Sequence, residues 1–377
     1  MISPALFLDT LKGLDVTFFT GVPDSLLKSV CQHIDVNLSA ENHIITANEG
    51  AAVALAIGTY LATGEVPVVY MQNSGIGNTV NPLLSLADPD VYGTPMLLMV
   101  GWRGQPGVKD EPQHVKQGRV MTQLLDAMGL PWAVMPKDEA DLPAALETAV
   151  STAKRDRTPY VLLVEKDAFG KGDVAPKGEP VPLPSREDAL GATVTAIGAG
   201  EVCVATTGML GRELFENRVN NGTDSSLDFL TVGGMGHASS IAMGIALKDR
   251  SRQVWCLDGD GALLMHMGTM ACITAHAPSN FNHVIFNNRV HDSVGGQPTP
   301  TAQIDIPAIA LASGYKAATT VSTLEEIPAA VAAMRGKGPS LLELRIKPGN
   351  RADIGRPTTT TQDARIKIMK ALGVVEA

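Results

Sequence analysis

The stretch that decides the fold reads Gln253-Val-Trp-Cys-Leu-Asp-Gly-Asp-Gly261 and continues into the apolar segment Ala262-Leu-Leu-Met265. A short apolar run followed by glycines and then by a segment of helical composition predicts a β-strand that runs directly into a helix. Asp260 would then lie at the carboxyl end of the strand, where open α/β sheets bind ligands and where helix N-termini attract phosphate. Gly-Asp-Gly alone is a weak signal, because most such tripeptides are plain turns.

A second polar strand end follows along the chain. The next strand reads His283-Val-Ile-Phe286 and ends in Asn287-Asn288. The separation from Asp260 is close to one strand–helix–strand unit, roughly 30 residues, so neighbouring parallel strands would bring both ends to one edge of the sheet. Carboxylate, amide and backbone carbonyl oxygens suit Mg²⁺, whose remaining positions diphosphate oxygens and water can fill. A metal site is therefore favoured over an Asn-rich turn.

Apolar runs of strand length alternate with longer amphipathic segments along the whole chain. Runs that are apolar on both faces and separated by helices indicate parallel sheets covered on both sides, hence an α/β fold with two doubly wound sheets. We expect strands at residues 16–19, 43–46, 66–71, 96–100, 131–135, 160–164, 202–205, 253–257, 283–286 and 340–345. We expect helices at residues 50–62, 140–154, 186–199, 237–247, 262–275 and 324–334.

A proline-rich segment interrupts this alternation. It contains Pro176, Pro180, Pro182 and Pro184, and such a density of proline cannot continue a helix or a central strand. An extended linker between two domains is the expected structure. The predicted division is a first domain over residues 1–170, a linker over residues 171–187 and a second domain over residues 188–377.

Composition excludes several classes of protein. The 377 residues are 45% hydrophobic and 18% charged, which suits large cores and argues against disorder. Thirty basic and 39 acidic residues leave a net charge of −9, so a nucleic acid is not an expected partner, although a local pocket could bind a small anion. The N-terminal segment lacks the basic region of a signal peptide, and no apolar run approaches the roughly 18 residues of a membrane span. We expect a cytoplasmic protein.

The cysteines and several histidines carry weaker signals. Four cysteines without a CxxC pair predict reduced thiols. Cys272 and His276 are spaced to share a helix face as metal ligands, but ordinary packing is favoured because no second pair has matching spacing. His283 lies inside an apolar strand and is interpreted as structural. The roles of His237 and His266 stay open.

With these motifs in place, the sequence resembles the thiamine diphosphate-dependent enzymes, whose diphosphate motif is Gly-Asp-Gly followed by a paired Asn. The resemblance implies thiamine diphosphate and Mg²⁺ as cofactors, with Asp260, Asn288 and the carbonyl of Val290 as metal ligands. Because the spacing is slightly long for the second Asn, Asn287 is an alternative ligand. Many relatives place Ser where this chain has Ala262. The implied cofactor-binding residues are Gly208, Met209, Met235, Gly259, Gly261, Ala262 and Asn287.

Two further residues take their expected roles from the same resemblance. Met235 stands between glycines, where the family places a bulky apolar residue beneath the cofactor; a core Met that fills a gap is the alternative. Glu49 follows the predicted strand 43–46 and opens an apolar helix, so burial should raise its pKa. The alternative is a first-turn Glu favoured by the helix dipole. In the family, a Glu in this context hydrogen-bonds the aminopyrimidine ring and promotes removal of the thiazolium C2 proton.

The resemblance also implies an assembly. In the family, the pyrimidine-binding and diphosphate-binding domains meet across a subunit boundary. We therefore expect a homodimer or larger homo-oligomer with active sites at the subunit interface. Many larger relatives carry a middle domain, whereas this chain has only the linker.

Four longer segments, residues 20–25, 72–78, 101–114 and 291–298, resemble the branch of the family that decarboxylates phosphonopyruvate or sulfopyruvate. This implies a small anionic 2-oxo acid as substrate, with phosphonopyruvate converted to phosphonoacetaldehyde and CO₂. A carboligase of the acetolactate synthase type and a noncatalytic cofactor-binding regulator are alternatives. The catalytic candidates beside Glu49 are Asp24, His114, His291 and Asp292; Arg103 and Lys109 would bind the substrate anions, unless residues 103–114 form only a solvated loop.

Overall fold

Each half of the chain builds one six-stranded parallel sheet, as the alternation of apolar runs predicts. The computed structural model describes residues 1–175, 182–276 and 278–375. The chain divides into two units, Met1–Gly178 and Glu179–Ala377. The predicted linker contains residues 176–181, which lie outside the described residues.

The sheet of the first unit has the order β2-β1-β3-β4-β6-β5, with every pair of neighbours parallel. Its strands are β1 (Phe19–Gly21), β2 (His43–Ile45), β3 (Val68–Gln72), β4 (Met96–Gly101), β5 (Trp132–Val134) and β6 (Pro159–Val164). Its helices are α1 (Pro4–Lys12), α2 (Lys28–Asn37), α3 (Glu49–Thr63), α4 (Ile76–Pro82), α5 (Pro112–Ala127) and α6 (Leu142–Asp156). A short π-helix, Leu83–Ala87, continues from α4.

The sheet of the second unit has the order β11-β12-β10-β9-β7-β8 and is also parallel throughout. Its strands are β7 (Val202–Ala205), β8 (Asp228–Leu230), β9 (Val254–Gly259), β10 (Phe281–Asn287), β11 (Ala317–Val321) and β12 (Ser340–Arg345). Its helices are α7 (Arg186–Ile197), α8 (Met209–Asn220), α9 (Ala238–Lys248), α10 (Asp260–Met265), α11 (Thr269–His276), α12 (Ile306–Ala312), α13 (Ile327–Met334) and α14 (Thr361–Ala371).

The cores lie on both faces of each sheet, which is why the central strands are continuous apolar runs. Within β3, Val68 packs into one cluster and Val69 into the cluster on the opposite face. Within β9, Trp255 and Cys256 likewise pack into clusters on opposite faces of the sheet. This alternation of neighbours between two apolar layers is what a doubly wound fold requires.

Local signals set the boundaries of the helix that carries Glu49. The Asn48 side chain caps α3 by accepting a 2.9 Å hydrogen bond from the Ala51 N–H. Gly64 ends the helix with a φ of 75°, a left-handed conformation that glycine adopts without steric cost. The observed helix matches the expected one within a residue at each end.

Two predicted elements differ from the observed ones. The helix expected over residues 262–275 is two helices, α10 and α11, because the chain leaves helical geometry at His266, whose φ is −138°. The strand expected over residues 16–19 begins to pair only at Phe19; Val16 is buried before the ladder starts. No helix in the described part of the chain has both the length and the apolar character needed to cross a bilayer.

Candidate active site

Asp260 lies at the junction that the sequence predicts. Strand β9 ends at Gly259, α10 begins at Asp260, and the Asp260 side chain is buried, with the residue 3% exposed. Its Oδ2 accepts hydrogen bonds from Thr299 Oγ1 at 2.6 Å and Thr301 Oγ1 at 2.9 Å. Burial raises the pKa of Asp260, and the two hydroxyl groups oppose that shift. The result is a buried carboxylate whose position is fixed by two side chains.

The neighbouring strand brings the paired asparagines to the same edge. In the parallel register of β9 and β10, Gly259 lies opposite Phe286, so Asn287, the last residue of β10, and Asn288, which follows it, lie at the same edge as Asp260. Thr301 Oγ1 also lies 3.2 Å from Asn287 Oδ1, so one hydroxyl links the two strand ends. The prediction that these two strands deliver their polar ends to one place is therefore met by the fold.

The two asparagines make different contacts. Asn287 donates to Glu343 Oε1 at 2.7 Å, and its Oδ1 accepts from Arg289 N at 3.1 Å. Asn288 Oδ1 accepts from Val290 N at 3.1 Å. The Thr301 hydroxyl has one proton, which it gives either to Asp260 or to Asn287, so each amide oxygen has one fixed backbone donor and keeps a lone pair for a cation. Both asparagines therefore stay candidate cation ligands.

The turn after Asn288 is held in an uncommon conformation. Arg289 has a φ of 63°, in the left-handed region that side chains other than glycine rarely adopt. Its carbonyl accepts from Thr299 N at 2.8 Å, and Val290 forms an antiparallel bridge with Pro298. Such backbone conformations persist where the surroundings determine them, and they cluster at functional sites.

Met235 and His291 converge on Gly261, at the start of α10. A Cβ built at Gly261 would lie 3.2 Å from the His291 ring and 3.3 Å from Met235 Cε, so a larger residue would displace one of them. Burial lowers the pKa of His291 to about 4, which keeps the imidazole neutral at pH 7. His237 lies two residues after Met235, and its ring packs against that of His266 with the ring centroids 4.5 Å apart.

The loop that follows His291 contains a feature that fits a polar ligand. Gln297 is 2% exposed, yet neither its amide oxygen nor its amide nitrogen has a hydrogen-bond partner in the part of the chain that the structure describes. Buried polar groups are nearly always paired, so a ligand of this loop would complete the pairing. Together with the Asp260–Asn288 oxygens, this orphaned amide shows that the residues present fit a metal and a polar cofactor. The resemblance in sequence includes the segment 291–298 but does not single out Gln297 within it.

Asp292 is engaged by three partners within the second unit. Its Oδ2 accepts from Asn288 Nδ2 at 2.6 Å and from Arg186 Nη1 at 3.1 Å, and its carboxylate also accepts from Gly349 N. These contacts anchor the loop after Asn288. They favour a positioning role over the proton-relay role that the sequence suggests.

Glu49, in the first unit, is buried at the first position of α3. It is 6% exposed, and its Oε2 accepts from Asn78 Nδ2 at 2.7 Å. A Cβ built at Gly75 would lie 2.6 Å from Glu49 Oε1, so the backbone of that segment approaches the carboxylate as closely as only glycine allows. Glu49 thus lies in the first turn of a helix, as one interpretation of the sequence has it, and is also buried, as the other expects.

Arg103 and His114 meet at Asp110 in the same unit. Arg103 Nε and Nη2 donate to the two Asp110 oxygens at 2.8 and 2.5 Å, and Nη1 donates to Ser25 Oγ at 2.6 Å. His114, in the first turn of α5, places Nδ1 3.0 Å from Asp110 Oδ1. Although burial acts to raise it, hydrogen bonds from Arg103 and His114 hold the pKa of Asp110 well below its usual range.

These contacts bear on the residues predicted to bind the substrate anions. Three of the five N–H groups of the Arg103 guanidinium donate to Asp110 and Ser25. Residues 106–109, and with them Lys109, are exposed, as the alternative of a solvated loop expects, whereas Arg103 and Asp110 are hydrogen-bonded and α5 begins at Pro112. That Arg103 and Lys109 bind the substrate anions stays a prediction.

Asp24 is a buried acid beside this cluster. It is 1% exposed, its Oδ2 accepts from Leu26 N at 2.9 Å, and its Oδ1 has no hydrogen-bond partner within the described residues. Burial raises the pKa of the Asp24 carboxyl to about 6, against hydrogen bonds and the Arg103 charge that lower it. Asp24 can therefore hold or release a proton near neutral pH.

The raised pKa of Asp24 gives a stability prediction. A carboxyl whose folded-state pKa exceeds its unfolded value contributes stability that is fully present below the unfolded pKa, near 4, and is lost as pH rises through about 6. The native protein should therefore lose about 3 kcal/mol of its free energy of unfolding between pH 4 and 7, and Asp24→Asn should not. The variant is expected to become more stable relative to the native protein as the pH rises over this range. Urea unfolding of cofactor-free protein at several pH values in this range measures the difference. If the free energy of unfolding has the same pH dependence in native and variant protein, the pKa of Asp24 is not raised.

His283 behaves as the sequence predicts for a structural residue. It is buried within β10, with Nδ1 3.2 Å from Tyr315 Oη and Nε2 3.5 Å from Asp258 Oδ2. All four cysteines are free, and Cys272 is the exposed one.

Comparison with known proteins identifies the family. Residues 206–344 match the C-terminal TPP binding domain of thiamine pyrophosphate enzymes, and residues 4–130 match their N-terminal TPP binding domain. The chain belongs to the thiamine pyrophosphate (thiamine diphosphate) enzyme family. This confirms the resemblance and the predicted α/β fold.

Particular relatives match nearly the whole chain. Phosphonopyruvate decarboxylase of Streptomyces viridochromogenes is 35% identical over 376 residues, covering 96% of this chain and 92% of the relative. That of Streptomyces hygroscopicus is 35% identical over 373 residues, covering 95% and 90%. Sulfopyruvate decarboxylase of Methanosarcina acetivorans is 26% identical over 367 residues, covering 91% of each chain. The expectation of a decarboxylase-type enzyme is confirmed by these relatives.

Proposed function

We propose that this chain catalyses the Mg²⁺- and thiamine diphosphate-dependent, non-oxidative decarboxylation of 3-phosphonopyruvate to phosphonoacetaldehyde and CO₂. The observation that carries the proposal is the 35% identity to two phosphonopyruvate decarboxylases over 90% or more of each chain. The buried Glu49 and the Asp260–Asn288 pair support catalysis rather than cofactor binding alone, because a noncatalytic regulator has no use for the pyrimidine carboxylate.

The proposed division of labour follows the two units. Asp260, Asn288 and the Val290 carbonyl would hold Mg²⁺, and the remaining cofactor contacts would come from Gly208, Met209, Met235, Gly259, Gly261, Ala262 and the Asn287 region. Glu49 would hydrogen-bond the pyrimidine ring. When bound, thiamine diphosphate supplies the carbon nucleophile and the electron sink that decarboxylation of a 2-oxo acid needs.

The product aldehyde needs a proton at the carbon that loses CO₂. Asp24, with its pKa raised to about 6, and the neutral His291 are the groups we propose to move protons there. His114 and Arg103 would act with Asp110 to fix the loop beside Asp24, and Lys109 would supply the exposed positive charge toward the incoming dianion. Asp292 would hold the Asn288 loop.

A sulfopyruvate decarboxylase is the second candidate, favoured by the match to the Methanosarcina enzyme over 91% of each chain. Sulfopyruvate also offers three terminal oxygens but one charge fewer than phosphonopyruvate. A carboligase would share the first intermediate but release an acyloin instead of an aldehyde. Product analysis separates this last alternative from both decarboxylases.

Substrate selectivity tests the proposal. We expect kcat/KM for phosphonopyruvate to exceed that for pyruvate by roughly 10–10³-fold, the range for electrostatic attraction of a charged substrate, with sulfopyruvate between them. Lys109→Gln should reduce kcat/KM for phosphonopyruvate more than for pyruvate, whereas the matched change Lys154→Gln on α6 should affect neither. A native enzyme that prefers sulfopyruvate or pyruvate would refute the substrate assignment and leave the family intact.

We also propose that the chain forms a homodimer or larger oligomer. Helix α3 is apolar almost all round, and a helix of that kind is normally buried. Its outer positions, however, expose Ala51, Ala54 and Leu61, the last at 73%. Exposed apolar surface of this kind marks an association face.

The oligomer prediction is measured by light scattering coupled to size-exclusion chromatography. We expect the native protein to elute as a dimer or larger and Leu61→Glu to shift it toward monomer. Val219→Glu, at an equally exposed apolar position on α8, is the matched control and should leave the assembly unchanged. A monomeric native protein at micromolar concentration would refute the proposal.

A further inference from the structure

A buried guanidinium joins two segments of the second unit that carry proposed cofactor residues. Arg186, the first residue of α7, is 7% exposed. Its Nε and Nη2 donate to the two Glu213 oxygens at 2.8 and 2.9 Å, and its Nη1 donates to Asp292 Oδ2 at 3.1 Å. Paired hydrogen bonds of this kind fix distance and orientation together, because the guanidinium is planar.

Each carboxylate connects Arg186 to one of these segments. Glu213 lies on α8, whose first residue is Met209 and whose N-cap is Gly208. Asp292 accepts from Asn288 Nδ2 at 2.6 Å through the same Oδ2 that faces Arg186. A Cβ built at Gly208 would lie 4.0 Å from Ser293 Oγ, so the start of α8 and the loop after Asn288 are also neighbours.

The hydrogen bond from Asn288 Nδ2 to Asp292 sets the orientation of the Asn288 amide. With the nitrogen directed to Asp292, the oxygen is turned the other way, and it keeps a lone pair after accepting from Val290 N. Arg186 hydrogen-bonds Asp292 and therefore acts on the orientation of the Asn288 amide indirectly. Such outer contacts to a metal ligand commonly change metal affinity by roughly 10–100-fold when removed.

We propose that Arg186 is a positioning residue for the metal and diphosphate site, which locks the Asn288 loop to the start of α8 through Asp292 and Glu213. The proposal rests on the proposed function, since it assigns Asn288 to the metal. It goes beyond that function by giving a role to a residue outside the cofactor motif, at the beginning of the helix that follows the linker region.

The test is Mn²⁺ binding, followed by electron paramagnetic resonance of the free ion, in the presence of saturating thiamine diphosphate. We expect Arg186→Met to weaken Mn²⁺ binding by roughly 10–100-fold. Arg186→Lys, which keeps the charge and one hydrogen bond, should lose less. Asp292→Asn should weaken binding in the same direction, and the double variant Arg186→Met/Asp292→Asn should be no weaker than the worse single variant, because both changes cut one connection.

Arg218→Met is the matched control. Arg218 lies on α8, is buried to a similar degree, and makes paired hydrogen bonds of 2.9 and 3.1 Å to Asp228, away from the Asn288 loop. We expect it to lower the unfolding temperature of cofactor-free protein without changing Mn²⁺ affinity.

The outcomes separate this inference from the proposed function. If the native chain fails to bind Mn²⁺ together with thiamine diphosphate, the proposed function itself is wrong. If the native chain binds both and Arg186→Lys and Arg186→Met bind Mn²⁺ as tightly, only the role of Arg186 is overturned. Equal losses in the Arg186 and Arg218 variants would also overturn it, since they would indicate general destabilisation.

Discussion

Glu49→Gln is expected to leave the fold and cofactor binding intact and to lower kcat by roughly 10²–10⁴-fold, the range for loss of a proton-transfer group. The amide can still fill the space beside Gly75 and accept from Asn78, so packing is preserved. It cannot share the proton that a carboxyl shares with a ring nitrogen, so activation of the cofactor should fail. The measurement is single-turnover decarboxylation at saturating cofactor.

A matched variant and a binding assay make this result specific. Glu41→Gln removes a carboxylate from an exposed position of the same unit and should keep native turnover. Tryptophan fluorescence quenching by thiamine diphosphate should give the native affinity for Glu49→Gln. Turnover within a factor of about three of native would remove Glu49 from the mechanism.

Asp260→Ala is expected to weaken binding of Mg²⁺ and thiamine diphosphate together, by at least roughly 100-fold for the metal, since the variant would lose a proposed ligand and not only an outer contact. The variant also leaves the Thr299 and Thr301 hydroxyls without their shared acceptor. Calorimetric titration of each component in the presence of the other measures the coupling. The exposed Asp353→Ala is the control and should bind both normally.

Metal removal tests the same assignment without a mutation. Treatment with a chelator should abolish activity, and Mg²⁺ or Mn²⁺ should restore it, because a divalent cation held by Asp260 and Asn288 would balance the negative charge of the diphosphate. Cofactor affinity that survives both the chelator and Asp260→Ala would leave no basis for a metal at Asp260.

The sequence locates the strands of the two units most clearly where burial is complete. Strands such as β4 and β6 are buried along their whole length, so their sequences are unbroken apolar runs. Strands β8 and β11 are edge strands with partly exposed faces, where polar residues are tolerated. Because these polar residues interrupt the apolar run, the pattern did not predict either strand. Helix α5 was missed for a similar reason, since its charged outer face follows a turn-rich segment.

The candidate site was predictable where chemistry and chain position coincide. Asp260 and Glu49 stand at junctions of a strand and a helix, which a local pattern can find. The partners that fix Asp260, Thr299 and Thr301, come from a distant loop, and no local signal joins them. Arg103 shows what the sequence leaves out: its positive charge predicts an anion site, and only the fold reveals that the guanidinium is paired with Asp110.

We expect the purified chain to convert 3-phosphonopyruvate to phosphonoacetaldehyde and CO₂ by using thiamine diphosphate and a divalent cation. Phosphorus NMR of the chain with the substrate measures this conversion directly. The phosphonopyruvate signal should be replaced by that of phosphonoacetaldehyde, with one equivalent of CO₂, only when thiamine diphosphate and Mg²⁺ are both present. Unchanged substrate in the complete mixture, or the same conversion without cofactor, would refute the proposed function.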